Sequence, residues 1–263
     1  MGRIFAVMSG KGGVGKSTLA AALAEYYARS GKTVALLDGD TGLRCVDLML
    51  DLQNRVVYDL GDVAEKNCSL DQALVKPKKD GGLSLLAAPQ LMKPSDLKAK
   101  DLGQIITQLS DETDILILDA PAGIGRGLKN LLGAAAEPVL VATADDVSVR
   151  DAERLGALLS QREEPHPGIV FNRVNRGLIR KGEMLPPDRL AYSLDMPLMG
   201  AIPDSKWVYR ALLRHRTALR CGDPAVETEI ENIGRRLLGE DVPVPRYAPS
   251  AMLRFFSRRG DAE

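Results

Sequence analysis

Residues 9–18 read SGKGGVGKST, and this stretch decides the fold. Gly10, Gly15, Lys16 and Ser17 satisfy the pattern G-x-x-x-x-G-K-[ST] of a phosphate-binding loop. Glycines at 10, 12, 13 and 15 let the backbone turn sharply and aim successive N–H groups at one point, an anion nest. A helix starting near Lys16 adds its positive N-terminal end. Lys16 then meets the β- and γ-phosphates, and Ser17 offers its hydroxyl to magnesium. The flanks agree. RIFAVMS (3–9) is an apolar run that reads as a buried strand, and STLAAALAEYYARSG (17–31) reads as an Ala- and Leu-rich helix stopped by Gly31. A second lysine, Lys11, comes too early in the turn for the usual phosphate role.

Beyond the loop, short apolar runs alternate with helical stretches. KTVALLD ends at Asp38, LSLLAAP spans 83–89, and TDILILDAP, EPVLVAT, PGIVFNRV and MPLMGAIP follow. Between them lie SDLKAKDLGQIITQLS, SVRDAERLGALLSQ and ETEIENIGRRLLG, which carry helical periodicity. Nearly continuous apolar strands suit a parallel sheet covered on both faces. The expected fold is one doubly wound α/β domain over residues 1–240, with a mostly parallel sheet and its ligand at the C-terminal ends of the strands.

Composition narrows the function. The chain has 263 residues, 45% of them hydrophobic, and 35 basic residues balance 35 acidic ones. That balance argues against a nucleic-acid protein, which often carries a basic excess. Cys45, Cys68 and Cys221 form no C-x-x-C pair, which argues against a disulfide scaffold or a Cys₄ metal site and fits a reducing compartment. Met1–Ser9 runs directly into the first strand, so no secretory leader is expected.

Two strand ends carry carboxylates. In LLDGDTGLRCVDL, Asp38 and Asp40 are one residue apart and project the same way from an extended segment. In ILILDAPAGIG, an apolar strand closes on Asp119, a Walker B pattern able to hold magnesium through water. The glycines after it form a segment suited to sensing a γ-phosphate.

KGGVGKST, LLDGDTGLRCVDL and LILDAPAGIG, in that order, resemble the deviant Walker A ATPases of the ParA/MinD family, which also contains the nitrogenase iron protein. VSVRDAERL (147–155), GAIPDSKWVYRAL (200–212) and IGRRLLGEDVP extend the resemblance over nearly the whole chain. It implies an ATP hydrolase that is slow until stimulated by a partner, with ATP and Mg2+ as its small ligands. Val14, Gly12, Gly13, Ser17 and Thr18 would join Gly10, Gly15 and Lys16 around the phosphates. Lys11 would be the signature lysine that reaches the nucleotide of a second subunit. Asp40 would orient the attacking water, Asp38 and Asp119 would stand near the metal, and Asn172, Pro203 and Asp204 would meet the adenine. Cys45 departs from the Asn common at its position, which bears on partner binding more than on catalysis.

Past Gly239 the texture changes. Residues 241–250, DVPVPRYAPS, read as a Pro-rich linker. Residues 251–263 follow as a short amphipathic helix. At about 100° per residue, Met252, Leu253, Phe255 and Phe256 fill one side, and Arg254 and Arg258 fall on the other. Such a helix suits an anionic membrane surface. Folding it costs about 1–2 kcal/mol per residue in backbone entropy, so one copy binds weakly. Two linked copies gain roughly 10²–10⁴ in avidity. The expectation is therefore a switch in which ATP drives homodimerisation and peripheral attachment to the inner face of the cell membrane, and hydrolysis releases it. The resemblance further implies that it positions the division septum, with a MinC-like division inhibitor and a MinE-like activator as partners. Two other readings stay open: a flagellar-number regulator resembling FlhG, and a DNA-partitioning ATPase of the ParA type. An iron–sulfur role lacks the cysteine spacing.

Overall fold

A computed structural model describes residues 1–40, 44–77, 81–90, 96–131, 136–160 and 167–247. Along the chain these form β1 (Arg3–Met8), α1 (Lys16–Arg29), β2 (Val34–Asp38), α2 (Val46–Met49), α3 (Leu60–Ala64), α4 (Leu70–Ala73), β3 (Leu83–Leu86), α5 (Ala99–Glu112) and β4 (Ile115–Asp119). Then come α6 (Arg126–Leu131), β5 (Glu137–Thr143), α7 (Asp146–Ser160), β6 (Gly168–Val174), α8 (Arg176–Lys181), α9 (Pro187–Ser193), β7 (Leu198–Pro203), α10 (Lys206–Leu212), a 3₁₀ turn (Ala218–Arg220) and α11 (Pro224–Leu237).

The strands lie in the order β3-β2-β4-β1-β5-β6-β7, and each pairing between neighbours is parallel. Side chains alternate across a strand, so Ile4, Ala6 and Met8 of β1 enter one core while Phe5 and Val7 enter the other. The first core is closed by α5 and α7, and the second by α1 and α11. From β1 the chain moves outward to β2 on one side, and it later returns from β4 to β5 on the other. The direction of winding reverses at β1, which opens a crevice above its C-terminal end.

Propensity and packing cooperate in the helices. α11 starts at Pro224 behind Asp223, whose side chain accepts from the N–H of Ala225, and it buries Val226, Ile230, Ile233 and Leu237 at helical spacing. Gly234 lets Tyr26 pack close, since a Cβ there would lie 2.5 Å from the Tyr26 ring. The neighbouring Tyr27 hydroxyl donates to the Gly234 carbonyl at 2.8 Å, so α1, which carries the loop, is joined to α11.

Both sheet edges are covered. Val75 forms an isolated antiparallel bridge with Leu85 beyond β3. At β7, Arg236 donates to the Met199 carbonyl at 2.8 Å, Glu229 accepts from the Ala201 N–H at 3.1 Å, and the Tyr247 hydroxyl donates to the Ala201 carbonyl at 3.2 Å.

Candidate functional site

The loop leaves β1 at Ser9, whose hydroxyl donates to the Lys11 carbonyl at 2.9 Å. Gly13 and Gly15 adopt φ 82° and 98°, values that L side chains rarely reach. Gly15 is also sterically required, because a Cβ there would stand 2.1 Å from the Asn172 amide nitrogen. At Gly10 a Cβ would meet Asp151 at 2.6 Å, so the loop's first turn packs against α7. α1 begins at Lys16 with no side-chain cap and no acidic residue in its first turn. Its positive end therefore faces the loop's interior unneutralised.

Lys16, Asp38, Asp40 and Asp119 meet at the ends of β1, β2 and β4. Lys16 Nζ donates to Asp119 at 2.7 Å, and lies 3.2 Å from the Ser17 hydroxyl and 3.5 Å from Asp40. Asp38 and Asp119 are register partners on adjacent strands, and both are buried. One oxygen of Asp38 accepts from the Asp40 N–H at 3.1 Å, while the second oxygens of Asp38 and Asp119 have no hydrogen-bond partner. Burial, then the Asp119 charge, pushes the Asp38 carboxyl well above the usual range. Burial raises Asp119 as well, against the opposing pull of Lys16. For Lys16, burial disfavours the charge, but Asp119, Asp40 and Asp38 outweigh it and hold the ammonium charged to higher pH.

Three carboxyl groups thus crowd one lysine, two of them in a dry place. Among the described residues no group of three His, Cys, Asp or Glu side chains forms a ready metal cage. Magnesium does not need one: it is held by one or two carboxylates with substrate phosphates and water. Two orphaned carboxylate oxygens beside a serine hydroxyl are donors of that hard-oxygen kind. Cys45 stands half-buried beside them, and burial together with the Asp38 and Asp119 charges pushes its thiol up to about 11.

Lys11 points elsewhere. Its Nζ lies 3.5 Å from Asp145, on the exposed side of the loop. Asp145 also accepts from the Thr143 hydroxyl and from the Ser148 N–H at 3.0 Å, capping α7. Burial alone would raise this carboxyl, yet those hydrogen bonds and the Lys11 charge hold it below its usual value. Sequence reasoning did not single out Asp145; the available signal was an Asp three residues before Ser148, an N-cap spacing.

On the other side of Gly15 lies a cavity of about 340 Å³ whose walls include Thr18, Asn172, Pro203, Asp204 and Tyr209. The fold thus brings all three residues expected at a nucleobase to one hollow beside the loop. Asn172 donates through its amide to the Val14 carbonyl at 2.8 Å and accepts from the Arg173 N–H at 2.9 Å, so it also braces the loop. Asp204 donates its N–H to the Val174 carbonyl at 3.1 Å and ties the end of β7 to β6. Tyr209 rims the cavity, whereas Trp207 is exposed with Arg210 4.8 Å from its ring centroid.

Of the stretch expected as a linker, residues 241–247 are described; they lie outside any helix or strand and are partly fastened down. Arg236 donates to the Val242 carbonyl at 3.0 Å and the Pro243 carbonyl at 2.7 Å, and the Arg176 guanidinium sits 5.6 Å from the Tyr247 ring centroid. Met252, Leu253, Arg254, Phe255, Phe256 and Arg258 lie outside the described residues. No helix among the described residues is long and apolar enough to cross a membrane.

Comparison with known proteins is consistent with this geometry. A family model described as "ParA: NUBPL iron-transfer P-loop NTPase" matches residues 1–183. The septum site-determining protein MinD of Bacillus subtilis is 39% identical over 249 residues, covering 93% of this chain and 92% of its own. The Helicobacter pylori protein of the same name is 36% identical over 98% of this chain and 97% of its own. Among solved structures, the MinC:MinD cell division protein complex of Aquifex aeolicus superposes with a TM-score of 0.84 at 31% identity, covering 93% of this chain and 99% of that one.

Proposed function

Since the chain belongs to the ParA/MinD family of P-loop ATPases, we propose that it positions the division septum as an ATP-dependent, membrane-associating switch. The relatives favour this over a flagellar regulator or a DNA-partitioning ATPase.

ATP would lie with its phosphates in the loop from Gly10 to Thr18 and its base against Asn172, Pro203 and Asp204. Lys16 would exchange Asp119 for the β- and γ-phosphates. Ser17, Asp38 and Asp119 would hold Mg2+, which when bound neutralises charge on the phosphate oxygens. Asp40, at the rim and 3.5 Å from Lys16, would orient a water for attack. Lys11 would leave Asp145 and reach the nucleotide of a second copy, so that dimer closure reports on ATP. Two C-terminal helices would then bind anionic lipid together. The membrane-bound dimer would present a surface to a MinC-like inhibitor, and a MinE-like activator would speed a slow hydrolysis. Localisation would be cytoplasmic, exchanging with the inner face of the cell membrane.

The observation that carries this reading is the division of labour between the lysines: Lys16 is buried among the carboxylates, and Lys11 is exposed and held by one weak pair. The test is co-sedimentation with anionic liposomes in ATP or ADP, for the full chain and for a chain ending at Ser250. Equal pelleting with both nucleotides, or full pelleting of the shortened chain, would sink the switch.

A further inference from the structure

Arg173 is a left-handed residue inside β6. Its φ is 57°, in a region that favours glycine and asparagine. The register between β6 and β7 breaks between Phe171 and Val174, and the Arg173 N–H is taken by the Asn172 side chain. A strained non-glycine residue beside a binding cavity points toward function.

Its position gives that function a form. Arg173 is exposed, and among the described residues its guanidinium has no hydrogen bond or ion pair. It lines the cavity that contains Asn172, Pro203 and Asp204. It also lines a second cavity, about 390 Å³, walled by Lys11, Gly12, Gly13, Val14 and Asp145. The second cavity lies on the outer face of the loop, where Lys11 meets Asp145. Gly15 and Thr18 line the first cavity together with Arg173, so Arg173 stands where the base hollow meets the phosphate-binding loop. We propose that Arg173 is a nucleotide-binding residue that pairs with the phosphate side of the nucleotide held by its own chain. A guanidinium fork matches phosphate oxygens, and the left-handed backbone is what turns it out of the strand toward them. The inference rests on the nucleotide site proposed above.

The test is ADP binding by calorimetry in dilute protein, which reads contacts within one chain. Arg173→Gly suits the φ of 57° and removes only the side chain, so its melting temperature should equal or exceed the parent's. We expect this variant to bind ADP at least about tenfold more weakly, with a shallower dependence of affinity on salt because one phosphate-facing cation is gone. Arg173→Lys should recover part of the loss. Unchanged ADP affinity in Arg173→Gly overturns the proposal, as does weaker binding with an unchanged salt dependence. Lys16→Ala is the separate control: if it binds ADP as the parent does, the nucleotide-site reading itself fails, whatever Arg173 does.

Discussion

Asp38 and Asp119 face each other in register at the ends of β2 and β4, both buried, each with one oxygen that no protein group meets. Lys16 meets the other oxygen of Asp119 at 2.7 Å. The site is therefore under electrostatic tension that a divalent cation would relieve. An acid whose folded pKa is raised contributes stability below its ordinary pKa and loses that contribution as pH rises through the raised value. For Asp38 that contribution is lost progressively as pH rises above the ordinary carboxylate range. Asp38→Asn should raise its melting temperature by a few degrees at pH 7.5, at roughly 2–4 °C per kcal/mol, and by less at pH 5. The same variant should lose the further rise that Mg2+ with ADP gives the parent. Differential scanning fluorimetry across pH reads both.

Lys11 and Asp145 form an exposed pair, and such pairs contribute about 0.2–1 kcal/mol. Freeing Lys11 should ease dimerisation by a correspondingly small factor. Asp145→Asn, which keeps an acceptor for the Ser148 N–H, should lower the ATP concentration for half-maximal dimerisation by about 1.4- to 5-fold. Lys11→Ala should abolish dimerisation and liposome binding together. Light scattering over an ATP titration checks both, and a Lys11→Ala protein that still dimerises would refute this account of the first lysine.

The glycines of the loop are not equivalent. Gly15→Ala meets both a φ of 98° and the Asn172 amide at 2.1 Å, so it should displace Asn172 and abolish ADP binding. Gly12→Ala meets no protein atom within 4 Å and should leave the melting temperature unchanged. Calorimetry and thermal melts of the two variants side by side separate the cases.

Arg236 pairs with Glu229 at 3.1 Å, and both are largely buried. Arg236→Ala should cost about 3–5 kcal/mol by leaving that carboxylate uncompensated. Tyr247→Phe, which loses one hydrogen bond to Ala201, should cost only about 0.5–1.5 kcal/mol. Urea unfolding gives both values, and proteolysis near 241–247 should accelerate in the first variant far more than in the second.

Much of this architecture was legible because parallel strands are apolar along their whole length and break abruptly into polar residues at the ligand end. The loop, Asp38, Asp40 and Asp119 stand at such breaks. Asn172, Pro203 and Asp204 were placed by resemblance, and the fold does bring them together. Boundaries shifted where packing outweighed pattern: β3 ends at Leu86 rather than 89, and α5 runs from Ala99 to Glu112. Asp145 was not visible because adjacent aspartates before a helix read as ordinary caps. Nothing about an arginine announces a left-handed backbone, which here coincides with the break in β6–β7 pairing. The residues after Gly239 read as a free tether from their prolines, but their fastening depends on Arg236, which reaches them only once α11 has packed.

The covered sheet edges bear on crowding. An open edge strand is a template for pairing with any neighbour, and the hazard grows with local concentration. Copies gathered on a two-dimensional surface would meet edge to edge far more often than in dilute solution. Arg236, Glu229 and Tyr247 on β7, and Val75 on β3, already take up backbone groups that such an encounter would otherwise pair. Under the proposed switch, self-association would then fall to the end of the sheet that carries Lys11, where nucleotide hydrolysis would reverse it.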